Sequence, residues 1–189
     1  YSYEIKEDAL EHNTANYPKT VKLSDTKYTY NGKVKKPSVI IKDKKGKKVS
    51  SSNYTVSYEK GRKNVGKYCV TIKFKGKYKG TKKLYFEIKP KETSISKISA
   101  KKKGFKVKYK KQTKQTTGYQ IEYSTNSKFK KSSKYTVSKN RSTSYTAKKL
   151  SAKKKYYVRV RTYKKVKVDG KYTNIYSGWS KVKTVKTKN

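Results

Sequence analysis

Apolar and basic residues alternate along much of this chain, as in Thr71-Ile72-Lys73-Phe74-Lys75, Phe105-Lys106-Val107-Lys108-Tyr109 and Tyr157-Val158-Arg159-Val160-Arg161. A period of two is that of a strand, whose successive side chains point to opposite faces. The apolar set can then line a core while the lysines form an outer skin. Between residues 17 and 90 the strand-like runs carry turn chemistry. Tyr28-Thr29-Tyr30 meets Asn31-Gly32, a strong short hairpin signal, followed by Ser38-Val39-Ile40-Ile41, a turn at Lys44-Lys45-Gly46-Lys47, and Tyr54-Thr55-Val56-Ser57-Tyr58. A loop bounded by Gly61 and Gly66 leads to Tyr68, Val70, Ile72 and Phe74 on one strand face, and Leu84, Phe86 and Ile88 share another. From 93 onward the candidate strands are Ile95 to Ser99, Phe105 to Tyr109, Gly118 to Ser124, Lys134 to Ser138, Ser144 to Lys149, Lys155 to Lys165 and Tyr176 to Thr187. The pattern predicts an all-β chain of two tandem β-sandwich modules.

Composition changes this picture in one respect, the meaning of the charge. The 189 residues hold 54 Lys and Arg against 11 Asp and Glu, a net charge of +43. Such a balance first suggests a nucleic-acid binder. Four of the basic residues are Arg, at 62, 141, 159 and 161. Bidentate recognition of phosphate and guanine relies on the planar guanidinium fork, so a dedicated reader would hold more of them. The abundance of Lys, Tyr and Asn is read instead as AT-rich coding, and specific nucleic acid is not the expected partner. Hydrophobic residues are 31% of the chain and include 20 Tyr, so each core is expected to be small.

Charge also marks boundaries. Residues 1–16 sum to −3, 17–90 to +18 and 91–189 to +28. The first stretch is expected to be an acidic leader or linker, and the whole to be a piece of a longer product. Lys89-Pro90-Lys91-Glu92-Thr93 is the second break, because proline fixes φ and holds its predecessor extended. A linker this short predicts an elongated, semi-rigid rod.

The order Leu23-Ser24, Tyr28-Thr29-Tyr30-Asn31-Gly32-Lys33, Lys36-Pro37-Ser38-Val39, Asn53 to Tyr58, Asn64-Val65-Gly66, Val70-Thr71-Ile72, Gly80-Thr81 and Phe86-Glu87-Ile88 resembles the immunoglobulin-like, MBG-like repeats of Gram-positive (clostridial-type) surface proteins. In that family such repeats serve as stalks or spacers. Leu150 followed by Tyr156-Tyr157-Val158-Arg159-Val160 resembles the tyrosine corner of a fibronectin type III domain. The resemblance implies that the Tyr156 phenol bonds upstream backbone while Leu150, Val158 and Val160 pack inward. Tyr109 stands where that family usually carries Trp. Trp179, in Tyr176-Ser177-Gly178-Trp179-Ser180, resembles the final-strand aromatic of many bacterial members. Val182 and Val185 break the alternation after it, which predicts a bulge.

Catalytic and metal chemistry finds little support. Gly61-Arg62-Lys63-Asn64-Val65-Gly66-Lys67 follows a phosphate-binding loop until Tyr68 takes the place of the magnesium-holding Ser or Thr. The strand pattern after it predicts a plain hairpin loop. His12 is the single histidine and lies in the acidic leader, with no nucleophile and base beside it. Cys69 is the single cysteine, so no internal disulfide and no zinc spacing is available. It sits out of phase with Tyr68 and Val70, which predicts an outward, passive thiol. Glu87 and Glu122 alternate opposite their core neighbours, so neither is expected to be the buried acid of a Lys to Asn isopeptide bond. Asn53-Tyr54-Thr55 and Asn140-Arg141-Ser142 match the glycosylation sequon and are read as coincidental. No apolar run approaches the roughly 20 residues of a membrane span. Catalytic, cofactor and metal residues are therefore expected to be none.

Tyrosine is a strand former that buries its ring and wets its hydroxyl, which accounts for Tyr68, Tyr119, Tyr123, Tyr145 and Tyr156. Tyr78, Tyr163, Tyr172 and Tyr176 are less constrained and are the candidates for a ligand platform. The expected function is a non-catalytic spacer and adhesion segment of a bacterial cell-surface or secreted protein, monomeric and extracellular. Its lysine coat would meet anionic cell-wall polymers or host glycans and matrix. Two other readings stay open: glycan-binding accessory modules of a secreted hydrolase, and a nucleic-acid-binding protein.

Overall fold

The computed structural model describes residues 15–189. The acidic leader, apart from its last two residues, and His12 lie outside the described residues. The chain divides into two compact units, the first drawn from residues up to Ile88 and the second containing Lys89–Asn189.

The first unit carries β1 (Thr20–Leu23), β2 (Lys27–Thr29), β3 (Val39–Lys42), a 3-10 turn at Ser51–Asn53, β4 (Tyr54–Tyr58), β5 (Gly66–Phe74) and β6 (Gly80–Lys89). β1 and β3 form one sheet, and β2-β6-β5-β4 the other. Alternation works as the sequence pattern requires: in β5, Tyr68, Val70, Ile72 and Phe74 are buried while Lys67 and Lys73 are exposed. Ile41 of β3 and Val49 pack with Ile72 and Phe74 across the two sheets. The Asp43 carboxylate accepts from the Lys45 and Lys47 amides at 2.9 Å each, which sets the turn after β3. The loop from Gly61 simply joins antiparallel neighbours β4 and β5.

One expectation fails here. Asn31-Gly32 does not join a hairpin, because β2 pairs with β6 while β3 pairs with β1. Gly32 adopts φ +76, so the turn is made, but the chain crosses from one sheet to the other. Tyr28 packs edge-on against Phe86 of β6 with centroids 5.7 Å apart. Pro37, fully buried before β3, has no amide to give to a β2 partner.

The second unit carries β7 (Ile95–Lys101), β8 (Gly104–Tyr109), β9 (Gly118–Ser124), β10 (Ser133–Val137), β11 (Ser144–Ala147), β12 (Lys155–Val168), β13 (Lys171–Tyr176) and β14 (Lys183–Lys186). One sheet runs β11-β8-β7; the other runs β10-β9-β12-β13, with β14 pairing the start of β12. Phe105, Val107 and Tyr109 of β8 and Ala147 of β11 meet Tyr119 and Ile121 of β9 and Tyr156, Val158 and Val160 of β12 in a single core between the sheets. The two units are all-β, and the second is a two-sheet sandwich.

A second expectation needs correction at β12. The strand does not stop near Lys165 but continues to Val168, turns through Asp169-Gly170 at φ +50 and +78, and returns as β13. Both central residues at positive φ match the twist of paired strands, and Asp-Gly is the residue pair that tolerates it. Residues 171–175, left unassigned by the sequence pattern, therefore form a strand with Tyr176, and the expected run from Tyr176 to Thr187 is a strand only over Lys183–Lys186 beyond that residue.

Candidate functional site

The densest arrangement of chemistry among the described residues lies on the non-core face of β9 and β12. Along β12 the inward set Tyr156, Val158, Val160 and Thr162 is buried, which leaves Tyr157, Arg159, Arg161 and Tyr163 on the other face. Antiparallel register sets Arg159 opposite Glu122 and Arg161 opposite Gln120 on β9. The Arg159 Nε donates to Glu122 Oε1 at 2.7 Å, and its Nη2 makes an ion pair with the same oxygen. Arg161 donates to Gln120 Oε1 from Nε at 2.9 Å and from Nη2 at 2.6 Å.

Aromatic rings fill the spaces between these guanidinium planes. Arg159 lies 4.0 Å from the Phe129 ring and 4.4 Å from Trp179, and Arg161 lies 4.1 Å from Trp179 and 3.7 Å from Tyr176. The result is a ladder: Phe129, Arg159, Trp179, Arg161, Tyr176. Each step is a cation over a ring face, worth about 0.5–2 kcal/mol according to its desolvation. Phe129 holds a left-handed φ of +57, a conformation costing a side chain roughly 1–2 kcal/mol, and its stacking on Arg159 offsets that strain.

Trp179 reaches this face because the backbone beside it is bulged. Ser177 and Ser180 each give their amide to a β12 carbonyl, of Thr162 at 3.0 Å and of Val160 at 2.8 Å. In return their hydroxyls, not their carbonyls, accept the amides of Thr162 at 2.9 Å and Val160 at 3.0 Å. Three steps of the 177–180 segment thus cover two of β12, and the extra residue turns the indole onto the outer face.

Glu122 faces away from the core, as alternation predicts, yet it is 4% exposed. The ladder and its neighbours bury it from outside. Burial alone would raise its carboxyl, but the Ser132 hydroxyl at 2.7 Å, Arg159 and Lys134 outweigh it and hold the group below its ordinary value. Burial lowers Arg161 from its ordinary value, with Tyr176 and Glu122 opposing the shift.

The remaining sequence-selected residues take these places. The Ser151 amide donates to the Tyr156 hydroxyl at 3.2 Å, and Leu150 packs on the core that buries Val158 and Val160 completely. Tyr109 is buried 4.5 Å from the Tyr119 ring and donates to the Ser142 carbonyl at 3.0 Å. Of the four platform candidates, Tyr163, Tyr172 and Tyr176 share the outer face of β12 and β13. Tyr163 is 4% exposed and sits 6.0 Å from Tyr176, while Tyr172 is 68% exposed. Tyr78 lies in the first unit and packs edge-on against Phe74. Cys69 is half-buried, its sulfur 3.7 Å from the Thr71 hydroxyl. The pattern missed Arg159, Arg161, Glu122, Gln120 and Phe129. A signal existed: two of only four arginines occupy alternate positions of one strand.

Residues 89–177 match the family model of the Fibronectin type III domain. The chain contains a fibronectin type III domain. Its β12 carries the arginine ladder and Tyr156, whose hydroxyl accepts the Ser151 amide. Among solved structures, the chicken CNTN1 FN1-FN3 domains are similar at 17% identity and a TM-score of 0.43, over 93% of this chain and 69% of that one. A beta-1,2-glucanase from Parabacteroides distasonis is similar at 13% identity and a TM-score of 0.40, over 65% of this chain and 18% of the glucanase. No curated protein matches the chain.

Proposed function

We propose that this chain is a non-catalytic segment of a bacterial cell-surface or secreted protein. An immunoglobulin-like, MBG-like module at 17–90 and a fibronectin type III module at 91–189 serve as spacer and adhesion units. Fibronectin type III domains are non-catalytic modules, often adhesive or spacing, and are typical of extracellular proteins. No helix among the described residues is long and apolar enough to cross a membrane.

The observation that carries this reading is a division of labour between the two kinds of basic residue. Three of the four arginines are committed inside the modules. Arg159 and Arg161 brace the ladder, and Arg62 stacks 5.1 Å over Tyr58 while donating to the Lys35 and Glu59 carbonyls at 2.9 and 2.6 Å. The exposed charge is lysine, spread over the outward positions of strands in both units, as at Lys67, Lys73, Lys83, Lys108 and Lys155. Lysine presents a hydrated point charge without a fork, so it attracts anionic polymers with little stereochemical discrimination.

The test is co-sedimentation with isolated Gram-positive cell wall beside binding to duplex DNA, each over rising salt. Comparable weak binding to both, lost together as salt rises, is the expected result. DNA binding that persists at high salt while wall binding vanishes would contradict it.

A further inference from the structure

The ladder is the middle of a longer array. Positions 155, 157, 159, 161, 163, 165 and 167 of β12 share one face, and they read Lys, Tyr, Arg, Arg, Tyr, Lys, Lys. At one end the Lys155 ammonium lies 5.1 Å over the Tyr157 ring. At the other, Lys165 and Lys167 lie 4.9 and 5.6 Å over the ring of Tyr172, which the β12–β13 hairpin sets opposite Lys167. Twelve strand steps at about 3.3 Å make a stripe about 40 Å long. Glu122 is the one carboxylate in ion-pair contact with these cations among the described residues.

We propose that this outer face of β12 and β13 is a binding track for a linear anionic glycan. The inference rests on the polyanion reading above and narrows it to one face. Lysines elsewhere must lose side-chain freedom when they grip a polymer. Those at 155, 165 and 167 are already drawn over rings, and the track around them is stiffened by the ladder. Asn174 is exposed on β13 opposite Lys165, on the same face, and can donate to sugar hydroxyls. The same geometry disfavours single-stranded nucleic acid. Guanidinium or ammonium groups lie over the rings of Phe129, Tyr157, Tyr172, Tyr176 and Trp179, where stacking bases would need free faces. The Nε and Nη2 groups that would hold a phosphate bidentately are spent on Glu122 and Gln120.

The test is titration calorimetry of the full chain with heparin, and with oligo(dT) for comparison, at one fixed low salt. Three variants carry it. Y172S leaves the net charge unchanged and removes the ring that holds Lys165 and Lys167. K165Q/K167Q removes two track charges, and K106Q/K108Q removes two from β8 on the other sheet. The track predicts that Y172S weakens heparin binding about threefold and K165Q/K167Q about tenfold, with K106Q/K108Q within about twofold of the parent. Equal losses from the two lysine pairs with no effect of Y172S would overturn the track and leave the diffuse coat standing. Absence of heparin binding by the parent would overturn the coat itself and the track with it. Tight oligo(dT) binding abolished by Y172S would overturn the glycan in favour of single-stranded nucleic acid.

Discussion

Tyr119 of β9 is fully buried and its hydroxyl ties two loops together, donating to the Asn140 carbonyl at 2.6 Å and accepting the Gln112 amide at 2.8 Å. Replacing it by Phe keeps the ring and leaves both backbone groups unpaired, so Y119F is expected to lose about 1–3 kcal/mol in urea unfolding. Glu122 makes a second prediction at this scale. Its carboxyl is held below its ordinary value in the folded chain, so it contributes stability that is complete above the unfolded value near 4.5 and is lost as pH falls through the lower, folded one. The melting temperature of the parent should drop over that acid window, and E122Q should be less stable at neutral pH with a shallower acid loss. An unchanged acid limb in E122Q would contradict the assignment. Period-two alternation announced which way Glu122 points, but not that it is buried. The groups that meet its carboxylate are Arg159, Ser132 and Lys134, whose approach depends on register and on a loop conformation that no local pattern encodes.

At the scale of the element, the segment 177–180 decides how β12 is finished. Ser177 and Ser180 hydroxyls take the amides of Thr162 and Val160, so S177A/S180A would strand two buried donors. The expected cost is about 1–3 kcal/mol for each, with loss of the near-ultraviolet signature of Trp179 as the indole leaves its slot between the arginines. A double variant that unfolds with the parent and keeps that signature would contradict this account of the bulge. The strands themselves were largely legible, because Phe105, Val107 and Tyr109 or Tyr68, Val70, Ile72 and Phe74 alternate cleanly with polar neighbours. Pairing was less so. Asn31-Gly32 has the composition of a hairpin turn, and only the burial of Pro37 and the packing of Tyr28 on Phe86 send the chain to the other sheet. Asp169-Gly170 was a real hairpin overlooked because Lys171 to Asn174 are exposed and carry no apolar alternation.

Across the whole molecule, a net charge of +43 is compatible with folding because its basic groups do two different jobs. Arg159 and Arg161 lie flat between rings and hold strands together, while most lysines stand outward and face the solvent. Composition made the lysine coat legible, and the rarity of arginine was its most useful clue, though read only as an argument against nucleic-acid recognition. What composition could not reveal is that Arg159 and Arg161 are bracing, since that follows from Trp179 being delivered by a bulge more than fifteen residues along the chain. The division of labour is tested most directly by R161K, which keeps the charge and removes the planar guanidinium that stacks on Trp179 and Tyr176 and grips Gln120. The account predicts a loss of roughly 1–3 kcal/mol in stability, while heparin affinity measured well below the melting temperature stays within about twofold of the parent. Unchanged stability together with a large loss of affinity would contradict it, and would make Arg161 a binding residue.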